Sequence, residues 1–129
     1  MDRLIINTPK APNPVGPYSQ AISSRGILFV SGQIPIDPES GDLVLNSFRE
    51  QCHQVLKNLK IILEEGGSSF EHVLKVTIYM KNLAQFNEMN EIYSDYFNTS
   101  KPARTCVEVS KLPKNVDIEI DAIAEISSG

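Results

Sequence analysis

The chain has 129 residues, the length of one domain with no room for a second. With 41% hydrophobic residues and a formal net charge of −4, it is neither a disordered chain nor a dedicated nucleic-acid binder, since no Lys/Arg cluster supplies the usual electrostatic footprint. Cys52 and Cys106 are too few for a disulfide scaffold and fit a reducing compartment, with one bridge between them left open. No stretch approaches a membrane span and the start does not read as a signal peptide, so the expected location is the cytoplasm, with a mitochondrial address left open.

Arg3–Asn7 is a short candidate strand. The run TPKAPNPVGPY follows, with four prolines and a glycine, and reads as an ordered loop or a flexible arm. Gly26–Gly32 is β-rich and bounded by glycines, which suggests a largely buried strand. DPESGD, at Asp37–Asp42, is a turn signal that a short strand pair would flank. Ser47 and Glu50 have capping-box spacing. Behind them Phe48, Cys52, Val55, Leu56, Leu59 and Leu63 recur at helical spacing, and Gly66-Gly67 ends the helix. Val73–Met80 alternates as a strand. A second helix is expected from an N-cap at Asn82, with Phe86, Met89, Tyr93 and Phe97 on one stripe and Lys101-Pro102 as its stop. Arg104–Val109 and Asp117–Ile126 alternate as the last two strands, and the ending ISSG reads as a frayed end. Two long helices can cover one sheet face only. The other face needs a partner, which points to self-association.

Common nucleotide and metal motifs are absent, and His53 and His72 are not spaced as a metal pair. Acid–base work therefore falls to carboxylates, tyrosine, cysteine or bound water. Arg104 shares a strand face with Cys106. That arrangement fits a surface salt bridge beside a core thiol, and equally a guanidinium clamp for a carboxylate. Glu119 and Asp121, in the next strand along the chain, fit a solvated charged face or a pocket. Spacing leaves both pairs of readings open.

Seven blocks, in order, carry a resemblance over almost the whole chain: GPYSQA (16–21), FVSGQIP (29–35), NLKIILEEGG (58–67), VLKVTIYM (73–80), FNEMNEIYSDYF (86–97), PARTCVEVSKLP (102–113) and VDIEIDAIA (116–124). With them the chain closely resembles the reactive intermediate deaminase A (RidA) family, also called YjgF/YER057c/UK114. The resemblance implies an α+β, chorismate-mutase-like fold with a mixed sheet and two helices on one face. It also implies a homotrimer with active clefts at the subunit boundaries.

The activity it implies is 2-iminobutanoate/2-iminopropanoate deamination, the hydrolysis of enamine/imine intermediates to 2-oxo acids and ammonia, with no metal or other cofactor. By the same resemblance Arg104 binds the substrate carboxylate, Glu119 serves the catalytic water and Cys106 lines the pocket beside it. Tyr18, Ser31, Gly32 and Asn90 match the remaining polar and backbone elements. Phe86 and Tyr93 shape the cleft and Ile34-Pro35 form its wall. Expected partners are small 2-imino or enamine acids, without a membrane or nucleic acid. Single-strand endoribonuclease or translation-inhibitor activity, and ligand binding or chaperoning without turnover, stand as alternatives.

Overall fold

The computed structural model describes residues 3–127, so the last two residues of the ISSG ending lie outside it. Six strands and two helices follow one another as β1 (Leu4–Ile6), β2 (Ala21–Ser24), β3 (Ile27–Gln33), α1 (Phe48–Glu65), β4 (Val73–Met80), α2 (Phe86–Phe97), β5 (Ala103–Glu108) and β6 (Ile118–Glu125). The strands form one sheet in the order β1-β2-β3-β6-β4-β5. Every neighbouring pair is antiparallel except β4–β5, whose parallel pairing requires a crossover, and α2 supplies it. This is the mixed sheet with two helices that the sequence implied.

Helix α1 starts where its cap chemistry says it should, with the Glu50 backbone N–H donating to Ser47 Oγ at 3.1 Å. It ends at Gly66-Gly67, where Gly67 takes the left-handed conformation (φ 84°) and the Ser68 N–H donates to the Leu63 carbonyl at 2.8 Å. A Cβ on Gly66 would lie 2.7 Å from Leu28 Cδ2, so the helix end is packed directly on β3. Asn82 does cap, but it caps a short 3-10 turn at Leu83–Gln85, donated to by Ala84 N at 2.9 Å. Helix α2 proper begins at Phe86, three residues later than a cap at Asn82 suggests. Glu108, at the end of β5, accepts from Leu83 N at 2.8 Å and ties this entry turn to the sheet. Lys101 closes the segment in the left-handed region (φ 45°), with its N–H bonded to the Phe97 carbonyl at 3.1 Å.

Both helices lie on one face of the sheet. Leu28, Val30, Val76, Ile78, Met80, Ile118, Ile120, Ala122 and Ala124 point at them and are buried. They pack against Cys52, Val55, Leu56, Leu59, Ile62 and Leu63 of α1 and Met89, Ile92, Tyr93 and Phe97 of α2. The opposite face carries no layer of this chain. Register aligns Ile5, Ile22, Phe29 and Ile123 in one row across it, with Ile5 58% and Phe29 47% exposed. Strand β3 is thus buried on alternate residues only and not throughout, because only one of its faces meets a helix. The strand pair expected around Asp37–Asp42 shrinks to a single bridge between Ile36 and Leu43. The turn's own bonds, Asp37 N to the Asp42 carbonyl and Gly41 N to the Asp37 carbonyl (both 2.8 Å), do the closing.

Candidate active site

The first group of functional side chains gathers where β5, an edge strand, meets α2. Arg104 registers with Val76 and Cys106 with Ile78, so both face the helix layer. The Arg104 guanidinium lies 4.8 Å from the Tyr93 ring centroid and 5.6 Å from that of Phe86. Its Nη1 donates to Asn90 Oδ1 at 2.7 Å. Tyr93 is in turn stacked on Phe97, with centroids 4.5 Å apart and 26° between planes. Two aromatic rings and an amide therefore fix a planar cation in place. Both ion pairs among the described residues belong to Arg49, so this half-buried guanidinium has no acidic partner among them. Cys106 Sγ contacts Met80 Sδ at 3.6 Å. Burial pushes the Cys106 thiol up and the Arg104 charge only partly offsets it, which keeps the sulfur protonated at neutral pH.

The second group is on the other face, around β3 and β6. Glu119 registers with Tyr79 and Asp121 with Thr77, both on the open side of the sheet. The Glu119 carboxylate lies directly over the Cα of Gly32. Any Cβ at that position would collide with its Oε2 and come within 2.9 Å of its Cδ. The β-bulge between Val30 and Gln33 carries Ser31 and Gly32 at this spot. Burial, and then the neighbouring Asp121 charge, raise the Glu119 carboxyl above the usual carboxylate range. Asp121 is itself raised by burial, opposed by hydrogen bonds from Tyr79 and Thr77 and by the Lys75 charge. The Tyr79 hydroxyl donates to Asp121 Oδ2 at 3.1 Å. Ser31 Oγ donates to the Ser19 carbonyl at 2.6 Å, so the Ser31 hydroxyl proton is already engaged.

One chain does not bring these groups together. Arg104, Cys106 and Asn90 lie on the helix side of the β5 edge. Glu119, Gly32 and Ser31 lie on the open side, with β4 standing between β5 and β6. Glu119 follows Arg104 by one strand in sequence but not in the sheet. The candidate residues form two separate groups.

Tyr18 belongs with the second group. It is 50% exposed at the tip of the proline-rich loop, and it lines a small cavity of about 30 Å³ with Gly32, Ile34 and Pro14. The loop is ordered because Gln20, 2% exposed, fills it with hydrogen bonds. Gln20 Oε1 accepts from Thr8 N at 2.7 Å, and its Nε2 donates to the Thr8 and Pro12 carbonyls at 3.0 and 2.9 Å. Replacing Gln20 with Leu strands these buried backbone groups and is expected to cost about 2–4 kcal/mol in unfolding free energy, measured by urea titration. Limited proteolysis should then cut between residues 8 and 17.

The remaining polar candidates are structural. His53 Nδ1 lies 2.7 Å from the Tyr96 hydroxyl and His72 Nδ1 lies 2.9 Å from Ser69 Oγ. Both cysteines are free, and burial pushes the Cys52 thiol to about 12, a core sulfur as its place on the stripe suggested.

The family model described as "Endoribonuclease L-PSP" matches residues 8–126. The chain belongs to this family, the YjgF/RidA group. A RutC family protein of Pyrococcus abyssi is 56% identical over 124 residues, covering 96% of this chain and 98% of its own. Among solved structures, RidA from an Antarctic Psychrobacter superimposes with a TM-score of 0.92 at 37% identity, covering 95% of this chain and 99% of that one. Escherichia coli TdcF with bound serine gives 0.90 at 37% identity, covering 96% and 99%.

Within this YjgF/RidA fold, the parts that sequence reading missed are buried amides that place the site. Asn58, fully buried in α1, donates to the Ile36 carbonyl at 2.9 Å and so holds the segment after Gly32. Gln51 donates to Asp117 Oδ2 at 3.0 Å and accepts from Asp117 N at 2.9 Å, which fixes the entry to β6 two residues before Glu119. Their positions on the apolar stripe of α1, among Cys52, Val55 and Leu59, are the signal that would have found them. A polar residue on a core stripe must have a partner.

Proposed function

We propose that the protein hydrolyses 2-imino acids, the tautomers of enamines left by serine and threonine dehydration, to 2-oxo acids and ammonia. The observation that carries this reading is Arg104. An acidic chain holds a half-buried guanidinium against two rings and an amide, with no acidic partner among the described residues. Such a group is built for an incoming carboxylate. That Escherichia coli TdcF was solved with serine, an amino acid with a free carboxylate, supports the substrate class.

In this reading the two groups are half-sites joined by a homotrimer. The β5 edge of one subunit meets the β3–β6 surface of the next, so that the open sheet faces are covered as well. Arg104 binds the substrate carboxylate and so fixes the adjacent imine carbon. Glu119, ionised, takes a proton from water as its oxygen adds to that carbon, giving a carbinolamine. The carboxyl then returns that proton to nitrogen, and as the carbon–nitrogen bond breaks the hydroxyl proton of the carbinolamine passes to the departing nitrogen, so that ammonia leaves and the ketone forms. Cys106, protonated, lines the pocket without forming a bond. Tyr18 closes the cleft and Asn90 steadies Arg104. The steps are addition of water, movement of protons and loss of ammonia, and Glu119 and Arg104 serve each of them.

Added to a threonine dehydratase reaction, the purified protein should speed the release of 2-oxobutanoate. An unchanged rate would sink the reading. The family's description supports single-strand endoribonuclease activity as the alternative, and RNA cleavage that survives Arg104→Ala would favour it.

Because Glu119 must be ionised to accept the proton, the acid limb of kcat/KM should lie above the usual carboxylate range, where burial and Asp121 have moved it. Asp121→Asn removes the second of these causes and should move the limb to lower pH. The same shift has a stability sign. Between its ordinary value and its raised one, Glu119 is protonated in the folded chain and ionised in the unfolded one. Its contribution to stability therefore grows as pH falls through that window.

A further inference from the structure

Beside Arg104, between the C-terminal half of α2 and the start of β5, runs an open groove of about 370 Å³. Tyr93, Phe97 and Pro102 form its apolar wall, Asn98 adds an amide, and Lys101 and Arg104 add two cations. No acidic side chain lines it, although the chain as a whole carries a net charge of −4. Lys101 is exposed and makes no ion pair among the described residues. Tyr93 is 9% exposed, yet its buried hydroxyl has no hydrogen-bond partner. A buried, unpartnered hydroxyl is costly to a folded chain unless something completes it.

We infer that this groove is a subsite for a second anionic group, so that the site takes dicarboxylic 2-imino acids of about five carbons. The inference rests on Arg104 acting as the carboxylate clamp. Arg104 holds the carboxylate next to the imine carbon. The methylene spacer lies along Pro102 and Phe97, and the far carboxylate meets the Lys101 ammonium. A purely hydrocarbon tail would suit the wall but would leave the Lys101 ammonium unanswered. The cations of the groove therefore favour the charged tail.

The test is calorimetric binding of three stable ketone products: 2-oxobutanoate, 2-oxoglutarate and 2-oxo-4-methylpentanoate. In the unmodified protein 2-oxoglutarate should bind roughly three- to fivefold more tightly than 2-oxobutanoate, the worth of one partly screened ion pair. Lys101→Ala should abolish that advantage and leave 2-oxobutanoate binding unchanged. Equal affinities for the two, an advantage that survives Lys101→Ala, or equally tight binding of 2-oxo-4-methylpentanoate would each overturn the subsite while leaving the clamp in place. Binding of none of the three would overturn the clamp, and the subsite with it.

Discussion

Arg104→Ala is expected to lower kcat/KM for imine hydrolysis by about two to three orders of magnitude, the usual cost of 2–5 kcal/mol for truncating one side of a desolvated charge pair. Loss should appear in both kcat and KM, because the clamp binds the substrate and also sets the distance between its imine carbon and the water. Arg104→Lys should recover little. An ammonium can offer charge, but it cannot stack flat between Phe86 and Tyr93 while giving two parallel N–H donors to one carboxylate. Stability should change far less than activity, since among the described residues the guanidinium makes one hydrogen bond, to Asn90, and meets two ring faces, with no ion pair. Cys106→Ser, on the same face of the same strand, should be mild, because burial keeps that thiol protonated and no histidine stands beside it. If Arg104→Ala hydrolyses 2-iminobutanoate at the unmodified rate, the clamp is wrong.

These two substitutions sit two residues apart, and that spacing shows how far the sequence could be read. Alternation put Arg104 and Cys106 on one strand face, and the structure agrees. Alternation could not say which strand lies next to β5, because the sheet order is set by the crossover through α2. β4 therefore separates β5 from β6, and Glu119 faces away from Arg104. Periodicity found α1 and its caps because capping is local chemistry between Ser47 and Glu50. It placed the start of α2 too early because the deciding contact, Glu108 to Leu83, spans 25 residues. The proline-rich loop had two readings, arm or ordered loop. Only the buried hydrogen bonds of Gln20 decide between them, and those reach back across 12 residues to Thr8. What was legible was short-range. What was not depended on pairs brought together by the sheet.

Gly32→Ala is expected to damage the second half-site as severely as a mild-looking change can. The added methyl would occupy the space of the Glu119 carboxylate, so either the β3 bulge or the Glu119 side chain must move. Overpacking of this kind costs about 1–3 kcal/mol, seen as a fall in the unfolding midpoint. The effect on activity should be larger, on the order of a hundredfold in kcat, since displacing the proton-accepting group by about 1 Å is enough for that. A double variant separates this from a general effect of losing a glycine. In Gly32→Ala/Glu119→Ala the colliding carboxylate is gone, so the alanine should cost little further stability beyond Glu119→Ala alone. The two substitutions would then be strongly non-additive, as contacts at one point must be. If the alanine costs as much in the Glu119→Ala background as in the unmodified chain, its penalty comes from the backbone of the bulge. In that case the close seating of Glu119 on Gly32 is not what positions the carboxylate, and the acid limb of the pH profile should be the same in the Gly32→Ala single variant as in the parent.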